Sequence, residues 1–203
     1  EGGRGSMRGG TRDVPRLARS FPLSQSLRFL TDKEKVFLDE DGEASDWIEI
    51  HNPGPDPASL LGYYLTDNAA HPTKWAFPDI DLAADSYLIV FATGNDRAIA
   101  GSELHANFSL AATGEYLGLF KPDGTSAVSE FTPTYPSQNS NVSYGFDAAS
   151  AEDGYFISPS PGAANPGSFT GFVADTSFSI DRGFYDTPIQ VAITTATPGA
   201  EIR

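Results

Sequence analysis

Apolar and polar residues alternate along most of the chain in short runs, rather than at helical spacing. In the segment DWIEIHN, Ile48 and Ile50 fall on one face of an extended strand. The other face carries Trp47, Glu49 and His51. Comparable runs recur at residues 60–67, 73–78, 87–93, 115–121 and 127–133. A period of two is typical of β-strands, so the pattern predicts a chain built from many short strands.

Two stretches depart from simple alternation. The nearly all-apolar YLIVFA at 87–92 predicts a strand that is covered on both faces. Residues 26–35 have a composition that suits a helix, but Leu27 and Phe29 fit a strand equally well. Turn-forming residues separate the runs at 52–57, 66–72, 93–96 and 122–124. Strands at this spacing predict an all-β fold, either a sandwich or a barrel.

The composition changes after residue 157, which indicates more than one part. Residues 158–170 are rich in proline, glycine and small side chains, as linkers are. Residues 171–203 return to strand-like alternation, but about thirty residues are too few to bury a core of their own. We therefore predict a β-sandwich at 23–157, a linker, and the opening of a second domain. Both ends of the chain look like cuts in a longer protein.

The charge of the chain is unevenly distributed. Its 203 residues carry a net charge of −14. Six of the 13 basic residues lie in the first 28 positions, where only two of the 27 acidic residues lie, so the rest carries a net charge of −18. A body this acidic disfavours nucleic acid as a partner. Residues 1–22 have no apolar periodicity, and they predict a basic disordered arm or a segment without a role.

Other features of composition narrow the class of protein. The chain has no cysteine, so it has no disulfide framework and no cysteine-based zinc site or nucleophile. A hydrophobic content of 39% is enough to fill a core. No run of about 18 apolar residues is present, so the sequence predicts no transmembrane helix. It shows no signal peptide of the usual form either.

The densest group of ionisable residues lies in FLDEDGEASDWIEIHN at 37–52. Five acidic residues fall within eight positions, namely Asp39, Glu40, Asp41, Glu43 and Asp46. The simplest interpretation is a solvated hairpin between a strand near Leu27 and the strand DWIEI, with the acids at its tip discouraging aggregation.

A calcium site is the alternative interpretation of the same stretch. Asp39, Asp41, Glu43 and Asp46 offer the hard oxygen ligands that Ca²⁺ prefers, and Gly42 permits a sharp bend. Their spacing does not fit the common calcium-binding loop, which has alternating acids before its glycine and a glutamate at its end. A catalytic carboxylate pair is the least favoured option, because a short flexible loop has no evident pocket to shift a pKa.

The histidines and serines give little support for a metal site or a catalytic site. His51, His71 and His105 could converge on zinc in the fold, but no HxH or HExxH spacing supports this, and structural or surface roles are favoured. No GxSxG motif for a nucleophilic serine occurs. The sequence therefore predicts no catalytic residues.

Aromatic residues offer a possible sugar-stacking platform. Candidates are Trp47, Tyr63, Tyr64, Trp75, Phe77 and Tyr116. Trp75 and Phe77 alternate within one strand and so share a face. Packing in the core is the simpler explanation for that face.

The ordered series of motifs resembles the lamin tail domain, in the version found in large exported bacterial proteins. The series is DWIEIHN, LLGYYLTDNAAHPTKWAFP, YLIVFATGND, ELHANFSLAATGEYLGLFKPDG, VSYG and SPSPGAAN. The resemblance covers roughly residues 23–169. It implies an immunoglobulin-like β-sandwich without catalytic residues.

The final segment, FSIDRGFYDTPIQVAITTATPGAEIR, resembles the first strands of the domain named for the C-terminus of chitobiase and β-hexosaminidase. That domain is also an immunoglobulin-like, non-catalytic module of larger proteins. The two resemblances imply a monomeric, extracellular or cell-surface module that serves adhesion, spacing or presentation to a protein or glycan ligand. The alternative is an accessory region of a multidomain enzyme, either glycan-active or similar to spore-coat kinases.

Overall fold

A computed structural model describes residues 27–30, 37–165 and 167–201 of the chain. The regular structure of these residues consists of strands. They are β1 (Leu27–Leu30), β2 (Trp47–Asn52), β3 (Ala58–Ser59), β4 (Tyr64–Thr66), β5 (Trp75–Ala76), β6 (Asp81–Leu82), β7 (Ser86–Phe91), β8 (Leu104–His105), β9 (Leu117–Phe120), β10 (Ala127–Phe131), β11 (Ser143–Asp147), β12 (Glu152–Phe156), β13 (Thr176–Phe178) and β14 (Ile193–Thr195). The predicted arm at 1–22 lies outside the described residues.

The larger sheet has six strands in the order β12-β11-β1-β2-β7-β8. Its neighbours are antiparallel except for β7 and β8, which are parallel. β1 lies in the interior of the sheet, where the backbone of Phe29 pairs with Ile48 on one side and with Tyr144 on the other. Residues 26–35, which were ambiguous between helix and strand, thus contribute a strand at Leu27–Leu30.

The second sheet has four strands in the order β10-β9-β4-β5, and β3 forms a small separate sheet with β6. β10 pairs with β9 through a bulge, because the register shifts between Ala127 and Ser129. The strands β13 and β14 pair only with each other.

The core lies between the two main sheets. The six-stranded sheet and the four-stranded sheet each contribute fully or almost fully buried apolar side chains to it, namely Phe29, Ile48, Ile50 and Val90 from the first and Leu65, Trp75, Leu117 and Leu119 from the second. Alternate residues of each strand point inward, as the period of two requires. This arrangement confirms the predicted all-β sandwich.

At β2, the outer face of the six-stranded sheet is buried as well as the inner face. Trp47 and Glu49 lie on the face opposite Ile48, yet both are buried. On β7, Val90 and Phe91 are buried, but the preceding residues of the strand are only half-buried. The prediction that YLIVFA is covered on both faces therefore holds at its C-terminal end alone.

Residues of the proline- and glycine-rich segment 158–170 are hydrogen-bonded to the sandwich. The Gly162 N–H donates to Oε2 of Glu49 at 2.6 Å. The N–H and hydroxyl of Ser168 donate to Oδ2 of Asp147 at 2.9 and 2.7 Å. The segment thus contacts both the buried Glu49 carboxylate on β2 and the end of β11.

Residues 171–201 leave most of their side chains exposed. Phe178, Phe184 and Ile193 are among the large apolar side chains in solvent. The β13–β14 pair therefore encloses no core of its own.

We expect Phe29→Ala to destabilise the sandwich strongly. Phe29 is fully buried, and three aromatic rings surround it with centroid distances of 5.3, 4.3 and 6.0 Å, those of Phe131, Tyr135 and Tyr144. Removing a buried phenyl ring costs about 3–5 kcal/mol of unfolding free energy. Urea denaturation followed by tryptophan fluorescence measures this loss.

Phe184→Ala is the matched control, since Phe184 is fully exposed. We expect it to change the unfolding free energy by no more than about 0.5 kcal/mol. Equal, small effects of the two substitutions would contradict the central position of Phe29.

Candidate functional site

The acidic residues of the 37–52 stretch lie on a short hairpin. Leu38 and Ala44 form an antiparallel bridge. Between them the Gly42 N–H donates to the Asp39 carbonyl at 2.9 Å, and the Asp39 N–H donates to the Glu43 carbonyl at 3.0 Å. Gly42 has a φ of 78°, in the left-handed region that glycine enters without strain. These contacts confirm the hairpin interpretation.

The carboxylate of Asp39 stabilises this hairpin by accepting hydrogen bonds from it. Its Oδ1 accepts hydrogen bonds from the N–H groups of Asp41 at 3.1 Å and Glu43 at 2.9 Å. Its Oδ2 accepts one from the hydroxyl of Ser45 at 2.8 Å. Asp39 is only 7% exposed, so these three donors replace water around its charge. An aspartate that caps the N–H groups following it in a turn is a common local motif.

The pKa of Asp39 records this environment. Burial opposes ionisation, but the hydrogen bonds from Glu43, Ser45 and Asp41 and the proximity of His105 together hold the pKa of Asp39 below its ordinary value. The hydrogen bonds of the folded hairpin therefore stabilise the ionised form of Asp39.

Arg97 forms ion pairs with two acidic residues at the tip of the hairpin. One guanidinium nitrogen contacts Glu40 Oε1 and another contacts Asp41 Oδ2. On the same side, the Glu40 N–H donates to Oε2 of Glu103 at 2.6 Å. The hairpin is therefore tied to the loop that follows β7. Sequence reasoning did not identify Arg97, because no local motif connects residues that are more than fifty positions apart.

The four predicted calcium ligands, Asp39, Asp41, Glu43 and Asp46, line one cavity of about 280 Å³ together with Asn95 and other polar residues. Carboxylate and amide oxygens are the donors that Ca²⁺ prefers.

The fit of these residues to calcium is partial. Asp39 already accepts three hydrogen bonds, and Asp41 is paired with Arg97. Among the residues that the structure describes, no three His, Asp or Glu side chains are arranged to hold a metal ion. The calcium site therefore stays a prediction.

The three histidines have separate partners. Nε2 of His51 lies 3.0 Å from Oδ1 of Asp85, and its ring stacks on Tyr87. His105 is fully buried on β8, and its Nδ1 lies 3.0 Å from the hydroxyl of Thr93. His71 is exposed. These separate environments favour the structural and surface roles over a shared zinc ion.

Most residues of the possible sugar platform belong to the core or its margins. Trp75 and Phe77 are 2% and 4% exposed and pack edge to face, with centroids 4.9 Å apart. Trp47, Tyr63 and Tyr116 are also buried. The platform interpretation is therefore wrong for these five residues.

We expect Asp39→Ala to destabilise the chain by about 1–3 kcal/mol at pH 7, because three hydrogen-bond donors lose a buried acceptor. The folded-state pKa lies below the unfolded-state value of 3.8. The stabilisation by ionised Asp39 is therefore present above that value and is lost as the pH falls through the lowered folded-state pKa. Thermal melts of both proteins between pH 7 and pH 3 should show the difference shrinking at the acid end.

Asp41→Ala is the control within the same hairpin. Asp41 makes an exposed ion pair with Arg97, and solvent screening leaves such a pair with only a small effect on stability. A cost for Asp39→Ala that is no larger than the cost for Asp41→Ala would contradict the bracing role.

Comparison with known proteins identifies the family. The family model described as Lamin Tail Domain matches residues 33–134, which is half of the chain. No curated protein and no solved structure matches the chain significantly. Within the described ranges, no helix has the length and apolar character needed to cross a membrane. The fold and the matched range agree, and the chain belongs to the lamin tail domain family of immunoglobulin-like β-sandwiches.

Proposed function

We propose that the chain is a non-catalytic, extracellular module that presents one end of its sandwich to a protein or glycan ligand, as part of a larger exported bacterial protein. The observation that carries this proposal is the placement of the acidic hairpin. It lies at the opposite end of the six-stranded sheet from the chain's two connections.

The two connections leave the sandwich from the same region. The backbone of Leu27 pairs with Ile50, so the chain enters β1 beside the end of β11. On the other side, Ser168 is hydrogen-bonded to Asp147, the last residue of β11. A module whose connections lie this close adds little end-to-end length to a longer protein. This favours presentation or adhesion over spacing.

The hairpin is displayed at the far end. Leu30, at the other end of β1, pairs with Trp47, which in turn pairs with Phe91. The acidic hairpin directly precedes Trp47. The Ala92 N–H, which follows β7, donates to the Asp46 carbonyl at 2.7 Å. The hairpin and the loop after β7 thus form one surface at the free end, with the 280 Å³ cavity between them.

Two further observations support the extracellular, multidomain context. The motif series resembles the lamin tail modules of exported bacterial proteins. The exposed apolar side chains of residues 171–201 suit the first strands of a second sandwich of the chitobiase and β-hexosaminidase C-terminal type, whose core needs more chain than this segment supplies.

Attaching the chain to a surface in two different orientations tests whether the hairpin end presents the ligand-binding surface. Because the chain has no cysteine, a single Thr170→Cys or Asn95→Cys substitution gives one attachment point. Both residues are exposed, the first beside the connections and the second at the hairpin end. We expect the chain attached at residue 170 to bind at least one component of a panel of glycans and matrix proteins, and we expect attachment at residue 95 to abolish this binding.

The two cysteine variants serve as controls for each other, since the solid surface and the linker are the same for both. Equal binding in both orientations, or no binding in either, would contradict presentation by the hairpin end. Release of cleaved products from the glycan panel would instead favour an enzyme.

The calcium hypothesis makes a separate prediction. A cation that binds only the folded chain raises its unfolding free energy by about 2.7 kcal/mol at a concentration of about 100 Kd. Thermal melts in calcium and in EDTA should then differ, and Glu43→Gln should reduce the difference. Glu43 is exposed, so its replacement leaves the hairpin's hydrogen bonds in place.

Glu152→Gln is the control, because it removes the charge of an exposed glutamate outside this cavity. Identical midpoints in calcium and EDTA would contradict a calcium site at Asp39, Asp41, Glu43 and Asp46.

A further inference from the structure

His105 is a buried side chain whose hydrogen bonding is incomplete. It lies on β8 and is fully buried. Its ring nitrogen Nδ1 lies 3.0 Å from the hydroxyl oxygen of Thr93. The other ring nitrogen, Nε2, is buried without a hydrogen-bond partner among the residues that the structure describes. A buried polar atom left without a partner costs free energy, so packing alone does not account for a histidine at this position.

The Nε2 atom of His105 faces the acidic hairpin. A carboxylate oxygen of Glu40, Oε1, lies 4.0 Å from Nε2, which is too far for a hydrogen bond. The same oxygen contacts the guanidinium of Arg97. The Glu40 carboxylate therefore lies between a permanent cation and a side chain that becomes a cation when it is protonated.

Backbone hydrogen bonds hold these side chains close together. His105 and Arg97 form an antiparallel bridge, in which the N–H of each donates to the carbonyl of the other at 2.9 Å. Glu40 is anchored separately, since its N–H donates to Oε2 of Glu103 at 2.6 Å. The Glu40 carboxylate takes part in none of these bonds, and its side chain is 38% exposed. A shift of about 1 Å brings its Oε1 within hydrogen-bond distance of Nε2.

The charges around His105 are mostly negative. Charged side chains come from the hairpin and from the loop between β7 and β8, and they are Asp39, Glu40, Asp41, Arg97 and Glu103. From β7 comes the uncharged ring of Phe91, with its centroid 5.4 Å from that of the imidazole. The carboxylates favour a proton on the imidazole, whereas burial and the guanidinium oppose it. Because histidine ordinarily changes charge between pH 5 and pH 8, a proton-dependent contact here responds to mild acid.

We propose that His105 is a proton-dependent switch at the hairpin end. When the imidazole takes up a proton from solvent, both of its nitrogens carry hydrogen, so that Nδ1–H donates to the Thr93 hydroxyl and Nε2–H donates to Oε1 of Glu40. The Glu40 carboxylate then moves from Arg97 to His105. Arg97 keeps its contact with Asp41, and the guanidinium nitrogen that contacted Glu40 becomes available to a ligand.

This regulation rests on the proposed function in one respect, since the hairpin end is the surface proposed to meet the ligand. In mild acid that surface gains a free guanidinium N–H, which suits an anionic group of the ligand such as a carboxylate. The switch itself requires no ligand, so it is tested on the chain alone.

A histidine titration of the full chain by NMR tests the switch. The chain has three histidines, and the single variants His51→Gln and His71→Gln assign the ring signals. Between pH 8 and pH 5 we expect the His105 ring, the amide of Glu40 and the Nε–H of Arg97 to change with one common midpoint. Both glutamine variants should leave this common transition in place.

Glu40→Gln removes the carboxylate at 4.0 Å and keeps the size of the side chain. We expect the variant to bind the His105 proton roughly fivefold more weakly, the effect of one unit charge at that distance in water. Glu152→Gln is the matched control, because it makes the same change at an exposed glutamate of β12, at the opposite edge of the six-stranded sheet from β8. It should leave the midpoint of the His105 titration unchanged.

Four results would overturn the switch. A His105 ring whose signals stay constant between pH 8 and pH 5 would show that it takes up no proton. Changes at Glu40 and Arg97 with a midpoint different from that of the ring would show that they are not coupled to it. Equal effects of Glu40→Gln and Glu152→Gln on the midpoint would show that Glu40 is not the partner. Loss of β-structure at pH 5, measured by circular dichroism, would show unfolding in place of a local change.

The switch and the proposed function fail in different experiments. The titrations use no ligand, so an absence of binding to the panel of glycans and matrix proteins would contradict presentation and not the switch. A failed titration beside orientation-dependent binding would contradict the switch and not presentation.

Discussion

The pairing of β1 with both β2 and β11 holds the sandwich together. β2 follows β1 closely in sequence, whereas β11 lies more than 110 residues further along the chain. Without β1, the six-stranded sheet would separate into a β11–β12 pair and a β2-β7-β8 group, each with an unpaired edge. Phe29 adds a contact between the sheets, because it packs on Phe131 at the end of β10. Closing so long a loop costs entropy, and the buried ring and the two ladders offset that cost.

This constraint explains why the structural unit is larger than the family match. The match at residues 33–134 includes β2 to β10 but leaves out β1, β11 and β12. These three strands nevertheless form half of the larger sheet. The hydrogen bonds of Ser168 to Asp147 and of Gly162 to Glu49 extend the unit further. The sandwich therefore depends on sequence on both sides of the matched range.

The sequence could predict what depends on local periodicity and could not predict what depends on strand order. Alternation correctly indicated the strand containing Ile48, and the acidic turn was correctly interpreted as a hairpin. Alternation placed Trp47 and Glu49 on the face opposite Ile48, but it gave no indication that both residues are buried. Gly162, which lies 113 positions further along the chain, donates a hydrogen bond to Glu49. For the same reason, the pairing of Arg97 with the hairpin has no signature near either partner.

The acidic residues fall into two groups that composition alone does not separate. In one group, donors within the fold stabilise the ionised form. Asp39 is braced by its hairpin, and hydrogen bonds from Ser168 hold the pKa of Asp147 below its ordinary value. Hydrogen bonds from Ser126 and Thr125 likewise lower the pKa of Asp123 in its turn. These carboxylates stabilise loops of the chain, and their charge is already compensated.

Asp153 belongs to the other group. Burial and an acidic neighbour raise the pKa of Asp153, so the fold opposes its charge rather than stabilising it. By linkage, the ionised form of Asp153 lowers the stability of the folded chain at neutral pH. The difference between the two groups, rather than the total negative charge, decides which acidic residues stabilise this domain.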